Sequence, residues 1–435
     1  MQNVIIDVKD VTRVEGHGNI SVRLKDGEIT HLELAIVESP RFFESFLRGR
    51  RYDEAPHITC RVCGICSVGH TTASVKAVEA ACGIEPSEQT VRLRKLIFFG
   101  EQLQSHVLHL YFLAVPDFVG VGSVLPLATT HPDVVRRALR MKRLANDICM
   151  VVGGRHIHPI AYQVGGFSHF PRESELRDLK RRLEESRSDL AETARLFATL
   201  KLPELHRDTE YVSLKVTDNG EYAFYDGSIV STRDPTPTPV SKYRERVIEE
   251  VVQHSTAKHC RSPKSPSYAV GALARFNNNH VQLHPAARKV AADLGLTAPS
   301  DNPFHNNTAQ LVEVVHCVES AIESIDELLS DGVRPEPPVQ PARFGQGAGA
   351  AEVPRGLLFH DYGIDGKGRI ENANLIIPTG QNLANIEADM REYVPQLIEQ
   401  DASREEITLK LEMLVRAYDP CISCATHLLN VEWIE

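Results

Sequence analysis

The sequence lacks the features that mark membrane, exported and nucleic-acid-binding proteins. It has no basic excess, since 48 lysines and arginines oppose 58 aspartates and glutamates, and the net charge of −10 disfavours a nucleic-acid partner. The first residues show no basic n-region, apolar h-region or twin arginine. No later apolar run approaches the roughly 20 residues that a membrane helix requires. We therefore expect no membrane span and a cytoplasmic location.

Internal repeats and low-complexity tracts are also absent. Charged residues make up 24% and hydrophobic residues 42% of the chain, which is ordinary for a globular protein. A chain of 435 residues can bury a large core.

Cysteine is the residue type whose placement carries most information. Four of the nine cysteines form two C-x-x-C pairs near opposite ends of the chain, R-V-C-G-I-C at 61–66 and D-P-C-I-S-C at 419–424. The two intervening residues bend the backbone so that both sulfurs can bind one metal, and four thiolates suit zinc, iron, an iron–sulfur cluster or nickel. The remaining cysteines are scattered and are interpreted as buried core residues: Cys60, Cys82, Cys149, Cys260 and Cys317.

The spacing alone leaves a structural tetrathiolate zinc or iron site open. Such sites usually take both pairs from nearby hairpins of small domains, whereas more than 350 residues separate these two. Each pair also has polar neighbours that a structural site does not need, namely Arg61 and His70 at the first and Asp419 and His427 at the second. Such groups can tune and protonate a reactive metal centre.

Hydrophobic periodicity predicts a mainly α protein with α+β additions. We expect a central bundle of long helices, an N-terminal antiparallel β-sheet and peripheral α+β segments. Strands are predicted over 19–25 and 28–37, within 209–232, and in a hairpin turning at 365–366. Helices are predicted over 41–50, 71–81, 87–113, 132–152, 174–200, 242–253, 309–329, 382–399 and 403–417.

We treat the chain as one unit, 1–435, with internal regions that differ in composition. These are a β-rich N-terminal region (1–58), the first metal loop and helical bundle (59–202), a β insertion (203–240), a helical region (241–332), a Pro/Gly linker and hairpin (333–381), helices with the second metal loop (382–427), and a possible C-terminal extension (428–435).

The motifs R-x-C-G-x-C-x-x-x-H and D-P-C-x-x-C-x-x-H resemble the two signatures of the nickel–iron hydrogenase large subunit. Three further segments resemble the family in the same order: R-V-E-G-H at 13–17, P-R-F-F-E at 40–44 and V-P-R-G at 353–356. The resemblance extends over nearly the whole chain. It implies a nickel–iron hydrogenase large-subunit-like fold and the catalytic subunit of an enzyme of the cytoplasmic, cofactor-coupled branch.

The resemblance also implies the metal centre. In this family the four cysteines hold nickel, and one cysteine of each pair bridges to an iron that carries carbon monoxide and cyanide, Fe(CO)(CN)2. By position, Cys63 and Cys421 would be terminal on nickel, and Cys66 and Cys424 would bridge. A second site, usually occupied by Mg2+, would use Glu44, His427 and the backbone carbonyl of Leu375.

Splitting dihydrogen heterolytically needs a Lewis-acidic metal to acidify the bound molecule and a base to take the proton. The resemblance implies roles for residues around the metals. Glu15 would pass the proton from a terminal thiolate toward solvent, and Asp419 would lie above the open face of nickel. The Arg355 guanidinium, in Pro354-Arg355, would donate to one cyanide and the Thr379 hydroxyl would contact the other. His70 would donate to a bridging sulfur.

One position departs from the family. Many membrane-bound relatives carry an aspartate one residue before the long-helix histidine, whereas this chain has Ser105 before His106. The segment at 104–109 resembles the cytoplasmic branch instead. His106 and His109 are interpreted as core histidines bonded to their neighbours.

The chain offers no cysteine set for an electron relay, so we expect a small subunit that carries iron–sulfur clusters. Further subunits of NAD(P)/flavin or heterodisulfide-reductase type would follow, and we favour the nicotinamide-linked type. A maturation protease would cut after His427 and remove 428–435. The alternatives are a hydrogen-sensing regulatory hydrogenase and a non-enzymatic tetrathiolate zinc scaffold. A quinone-site subunit of respiratory complex I would lack the four cysteines.

Overall fold

The computed structural model describes residues 4–217 and 220–426, and within them helices predominate. The α-helices are α1 (Phe43–Leu47), α2 (Ala55–Thr59), α3 (Ser67–Cys82), α4 (Glu88–Leu108), α5 (Val115–Phe118), α6 (Leu127–Thr130), α7 (Pro132–Gly153), α8 (Glu173–Glu185), α9 (Arg187–Ala198), α10 (Ala272–Asn279), α11 (Pro285–Asp293), α12 (His305–Asp331), α13 (Pro378–Glu399), α14 (Arg404–Ala417) and α15 (Ile422–Ala425). Within these ranges no helix combines the length and apolar character needed to cross a membrane.

The strands form small antiparallel sheets. They are β1 (Val4–Val8), β2 (Gly18–Lys25), β3 (Glu28–Ile36), β4 (Tyr162–Gln163), β5 (Gly166–Phe167), β6 (Val212–Lys215), β7 (Ser228–Ser231), β8 (Ile248–Glu250), β9 (His259–Arg261), β10 (Gln346–Val353), β11 (Gly356–Ile364) and β12 (Ile370–Ile376). The two three-stranded sheets have the orders β1-β2-β3 and β10-β11-β12.

The N-terminal sheet confirms the predicted hairpin. β2 and β3 pair from Gly18↔Ile36 to Lys25↔Glu28, and the chain turns at Asp26 and Gly27, which both have positive φ. Alternate residues of β2 are buried, as expected for a sheet with one face on the core. β3 lies against α13, where Arg391 donates to the Leu32 carbonyl.

The central bundle is also confirmed. α4 packs between α7 and α12, and its first turn is capped by Ser87, whose hydroxyl accepts from Thr90 N at 3.0 Å. α4 continues into a π-helical turn, His109–Ala114. The C-terminal half of α4 lies beside the first cysteine loop, where Glu101 accepts from Val68 N and Gly69 N.

The prediction of a Pro/Gly linker at the start of 333–381 is wrong for residues 346–353, which form β10. β10 pairs along its whole length with β11 and lies on α3. A Cβ at Gly349 would lie 2.4 Å from both Ala73 O and Ala77 N. The glycines in this segment therefore permit close packing of a strand on a helix. In sequence alone, such a glycine-rich strand resembles a flexible linker.

Two other predictions are wrong in detail. The helix expected over 174–200 is two helices, α8 and α9, which meet at Ser186. The helix expected over 242–253 is a short 3₁₀ turn, Val240–Glu245, followed by β8, because residues 248–250 pair with β9. Pairing with a distant strand overrides local helical periodicity there. Helices α10 and α11 lie in the region predicted to be helical (241–332), but their bounds were not predicted.

Candidate active site

The two cysteine pairs meet at one buried centre. Cys63 Sγ lies 3.4 Å from Cys421 Sγ, Cys66 Sγ lies 3.7 Å from Cys424 Sγ, and all four sulfurs lie within 4.8 Å of one another. These separations are well beyond the ~2.05 Å of a disulfide. The expectation that both pairs face one centre is confirmed.

The donor chemistry of this centre fits a metal. Burial raises the pKa of the Cys421 and Cys424 thiols well above the ordinary value, because the interior disfavours a charged thiolate that no cation balances. A soft or borderline metal ion supplies that charge and deprotonates the thiols. Four converging thiols suit nickel, iron or zinc.

The second cysteine loop begins in a sharp turn after α14. Asp419 adopts the left-handed backbone region with φ 49° and donates its N–H to Arg416 O at 2.8 Å. Pro420 follows, and Cys421 N then donates to Thr379 Oγ1 at 2.9 Å. Thr379 lies in the first turn of α13, so this helix fixes the loop at its first cysteine.

Glu15 reaches the second loop from the N-terminal segment. Its carboxylate accepts from Cys421 Sγ at 3.2 Å, from Ser423 N at 3.0 Å and from the Ser423 hydroxyl. Its own carbonyl accepts from Ile422 N at 2.8 Å, within an isolated parallel bridge between Glu15 and Cys421. Gly16 permits this approach, because a Cβ there would lie 2.7 Å from Ile422 Cβ and its φ is +89°.

Arg41 links the two cysteine loops. Its guanidinium donates to the Val62 carbonyl at 2.6 Å and also to the Ser423 carbonyl. Its backbone N–H donates to Thr426 O at 2.7 Å. Arg41 lies in the P-R-F-F-E motif at 40–44. These contacts were not predicted, because they join three motifs that are far apart in the chain.

Arg355 and Asp419 form a buried ion pair beside the cysteines. Arg355 Nη2 donates to Asp419 Oδ1 at 2.9 Å, and Arg355 Nη1 donates to Ser105 Oγ at 3.3 Å. Although burial acts to lower the pKa of Arg355, Asp419 and the nearby cysteines raise it well above its ordinary value. Because this chain has Ser105 where many membrane-bound relatives carry an aspartate, Asp419 is the carboxylate that faces this guanidinium.

A second buried arginine positions the Arg355 segment. Arg275 donates to the Val353 carbonyl at 3.0 Å and to the Pro354 carbonyl at 3.2 Å. It is held by Glu313, at 2.7 Å from both Nε and Nη2, and by Glu352. This network was missed because the bounds of α10, which carries Arg275, were not predicted.

Glu101 was also missed. This fully buried carboxylate accepts from Val68 N at 2.6 Å and Gly69 N at 2.8 Å, in the first turn of the helix that follows Cys66. Burial raises its pKa well above the ordinary value, against those two hydrogen bonds. Its spacing from Ser105 and His109, along α4 and the π-helical turn after it, places the three residues on one face but does not specify these backbone partners.

His70, Glu44 and Leu375, three other predicted site residues, each have a defined hydrogen-bond partner. His70 Nδ1 hydrogen-bonds His360 Nε2 at 3.1 Å, and His360 Nδ1 hydrogen-bonds the Tyr362 hydroxyl at 2.6 Å. Glu44 Oε1 accepts from Leu375 N at 2.8 Å, so these two residues of the expected Mg2+ site are adjacent. His427 lies outside the described residues.

Both histidines on the long helix are core residues, as expected. His106 Nε2 hydrogen-bonds Glu313 Oε2 at 2.8 Å, and His109 Nε2 donates to Arg416 O at 2.7 Å. The five scattered cysteines are buried and carry no disulfide, as expected.

Comparison with solved structures defines the class of this architecture. The chain superposes on an NAD+-reducing NiFe-hydrogenase in the H2-reduced state with a TM-score of 0.87 and 28% identity, covering 98% of this chain and 100% of that one. The Ni-Fe-Se hydrogenase of D. vulgaris Hildenborough shares the fold with a TM-score of 0.74 and 23% identity, covering 98% and 100%. The fold is that of a NiFe-hydrogenase large subunit.

Sequence comparison identifies the family. A family model described as nickel-dependent hydrogenase matches residues 41–133 and 135–427, and one described as HoxL-like matches residues 5–39. The alpha subunits of sulfhydrogenase 1 and sulfhydrogenase 2 of Pyrococcus furiosus are 34% and 33% identical to this chain. The matches cover 98% of this chain in both cases, and 98% and 100% of the respective relatives. A relative from Methanothermobacter marburgensis, named as part of an F420-non-reducing hydrogenase, is 32% identical, covering 98% of this chain and 95% of its own.

This chain therefore belongs to the nickel-dependent hydrogenase family. It is the catalytic large subunit of a nickel–iron hydrogenase, an oxidoreductase, and its buried cysteine cluster is able to bind metal.

Proposed function

We propose that this protein catalyses the reversible heterolytic cleavage of H2 to protons and electrons at a nickel–Fe(CO)(CN)2 centre held by its four paired cysteines. The observation that carries the proposal is the convergence of four buried sulfurs with a carboxylate, Glu15, hydrogen-bonded to one of them. A structural metal site has no use for a hydrogen-bonded proton acceptor on a ligand sulfur.

In this proposal the thiolates of Cys63, Cys66, Cys421 and Cys424 would together hold the nickel–iron centre. The bound centre supplies a Lewis acid that acidifies dihydrogen and takes up its electrons. The residues of the protein bind and orient this centre, and they remove the proton.

Cys421 and Glu15 form the first step of the proton path. The Cys421 thiolate accepts the proton, and Glu15 receives it across the 3.2 Å contact. Ser423 supports this step, because two hydrogen bonds from it fix the Glu15 carboxylate in position. A carboxylate fixed in this way can act as the general base that the reaction requires.

Arg355 and Thr379 would hold the cyanides. Arg355 Nε is buried and has no hydrogen-bond partner among the described residues, which fits a position where an anionic ligand accepts from this side chain. Asp419 keeps the guanidinium oriented through its 2.9 Å contact. Pro354 fixes the backbone before Arg355, and Arg275 holds the Pro354 carbonyl.

His70 would tune a bridging sulfur. When His360 Nε2 donates to His70 Nδ1, the proton of His70 is on Nε2, the nitrogen that would donate to the sulfur. Tyr362 fixes the His360 ring from its other side. Glu44, the carbonyl of Leu375 and His427 would bind Mg2+ as a structural ion, since carboxylate and carbonyl oxygens are its preferred ligands.

Electrons would leave through a partner. Within residues 4–217 and 220–426, the other cysteines do not gather into a further metal-binding group. The relatives in the comparison are named as individual subunits of hydrogenases, which supports a small subunit with iron–sulfur clusters as the electron acceptor. The likeness to an NAD+-reducing enzyme supports onward transfer to NAD(P) through flavin-type subunits rather than a heterodisulfide-reductase module.

Metal analysis and infrared spectroscopy of the purified complex test this function. We expect nickel and iron in equal amounts, infrared bands of iron-bound carbon monoxide and cyanide, and H2-dependent reduction of NAD(P)+. Zinc alone, without these bands, would identify a tetrathiolate scaffold. A complete metal centre without sustained turnover would identify a hydrogen sensor.

We also propose that a maturation protease cuts after His427 and removes 428–435, a segment outside the described residues. The cut would release the second cysteine loop to close on the metals. Mass spectrometry of nickel-loaded, active protein tests this step, and a full-length mass in that sample would rule out obligatory cleavage.

A further inference from the structure

A second cluster of metal-binding side chains lies apart from the cysteines, between the N-terminal sheet and α13. It consists of His254, in the loop after β8, His259, at the start of β9, and Glu387, on α13. One ligand atom from each residue lies within 4.8 Å of the other two. Two imidazoles and a carboxylate form the donor set of three-ligand zinc sites.

The orientation of His254 fits metal binding. Its Nε2 lies 2.8 Å from Glu387 Oε1, and its Nδ1 lies 4.0 Å from a carboxylate oxygen of Glu33 on β3. At this distance the Glu33 carboxylate makes no hydrogen bond to Nδ1, but its negative charge favours binding of a cation nearby. Glu387 is itself oriented, because its Oε1 accepts from Leu34 N at 2.9 Å.

His259 provides an independent observation. The residue is only 5% exposed, and its Nε2 is buried without a hydrogen-bond partner among the described residues. An unpaired buried polar atom costs about 1–3 kcal/mol, so such atoms are rare unless they bind something. Burial and the neighbouring His254 lower the pKa of His259 to about 4, so its ring is neutral and can offer a lone pair at neutral pH.

We propose that His254, His259 and Glu387 form a second metal site that binds one divalent transition-metal ion, such as Zn2+, and ties the β8–β9 hairpin to α13. Water completes the coordination, since the His254 and Glu387 side chains are 20% and 14% exposed and leave an entry path. The site joins segments that also support the catalytic loop, because α13 carries Thr379.

The test uses the intact, metal-loaded complex. It is incubated with Zn2+, freed of excess metal and analysed for zinc, nickel and iron. We expect one equivalent of zinc beyond the catalytic metals in the wild type, with a higher thermal unfolding midpoint in the presence of zinc. His259→Gln and Glu387→Gln should each bind zinc at least about tenfold more weakly and lose the thermal shift.

His206→Gln is the matched control. His206 forms a surface pair with Asp301 at 2.7 Å and belongs to no three-residue ligand group among the described residues. This variant should keep the extra zinc. If His259→Gln does not fold, His254→Gln replaces it, because His254 is partly exposed.

Cobalt distinguishes this site from the cysteines. Co2+ bound by two imidazoles and a carboxylate lacks the intense sulfur-to-metal charge-transfer absorption of a thiolate site. The proposal would be overturned if the complex incubated with Co2+ takes up extra cobalt that shows that absorption. It would also be overturned if the extra equivalent of metal survives both His259→Gln and Glu387→Gln, or if the wild type takes up no extra equivalent. In the last case the His254–Glu387 contact is an ordinary ion pair.

Discussion

The carboxylate of Glu15 accepts a hydrogen bond from the Cys421 thiol over 3.2 Å, although 406 residues separate them in sequence. The same carboxylate accepts from Ser423, and the Glu15 backbone bridges to Cys421. The side chain is therefore fixed at a single sulfur of the cluster by several contacts, which is the geometry that a proton acceptor requires.

We expect Glu15→Gln to lose at least about a hundredfold in H2 oxidation and in proton–deuterium exchange. The amide can still hydrogen-bond the second loop but cannot accept a proton. Nickel and iron contents should stay normal. His17→Gln, at an exposed position nearby, is the control, and a fully active Glu15→Gln enzyme would exclude the role.

Arg41→Ala should weaken the metal centre itself. Arg41 donates to carbonyls in both cysteine loops, so its loss removes a hydrogen-bonded link between them. We expect lower nickel and iron content per large subunit by elemental analysis, and a lower unfolding midpoint. Arg48→Ala removes an exposed arginine seven residues away and should change neither quantity. Equal metal contents in the two variants would contradict the prediction.

Asp419→Asn should destabilise the fold by about 3–5 kcal/mol, the usual effect of breaking a buried ion pair. It should also reduce H2 oxidation. The double variant Asp419→Asn/Ser105→Asp tests the cause, because Ser105 Oγ already lies 3.3 Å from Arg355 Nη1. We expect it to recover stability, measured as the unfolding midpoint, without full activity. If the double variant recovers neither stability nor activity, the loss of a charge partner for Arg355 is not the cause of the defect.

Stability should fall with acid partly through His316. Burial lowers the pKa of this residue to about 4 from an ordinary 6.5, so between these values the unfolded chain binds a proton that the folded chain refuses. The free energy of unfolding therefore decreases as pH falls through this window, by at most about 1.4 kcal/mol per pH unit.

His316→Gln should show a shallower loss over that pH range, since glutamine can accept from His284 N and does not titrate. The measurement is the thermal midpoint of both proteins at several pH values between about 4 and 7. His206→Gln, at an exposed histidine, should follow the wild type. Parallel curves for wild type and His316→Gln would refute the assignment.

The positions of residues that stand in short sequence motifs could be predicted from the sequence. The cysteine pairs were expected to meet, and Glu15 and Arg355 to lie near them, because each stands in a short motif that resembles the hydrogenase family. The N-terminal hairpin was equally clear from alternation and an Asp-Gly turn.

Residues that act through tertiary contacts were not predictable in the same way. Arg41, Arg275 and Glu101 act on backbone groups of distant segments, and no spacing within their own segments specifies those partners. The strand at 346–353 was missed for a related reason, since glycines that admit a close helix have the composition of a linker.

The separation of the two cysteine pairs dictates an order of events during biosynthesis. Cys63 and Cys421 face each other across 358 residues of chain, so the first pair leaves the ribosome long before its partners exist. Closing so long a loop is also slow, because its chain entropy is lost before the contact forms. Two reactive thiols thus wait through nearly the whole of translation, and metal loaded in that interval would meet only half of its ligands. Faithful insertion of nickel rather than zinc at this site consequently depends on timing as well as on affinity.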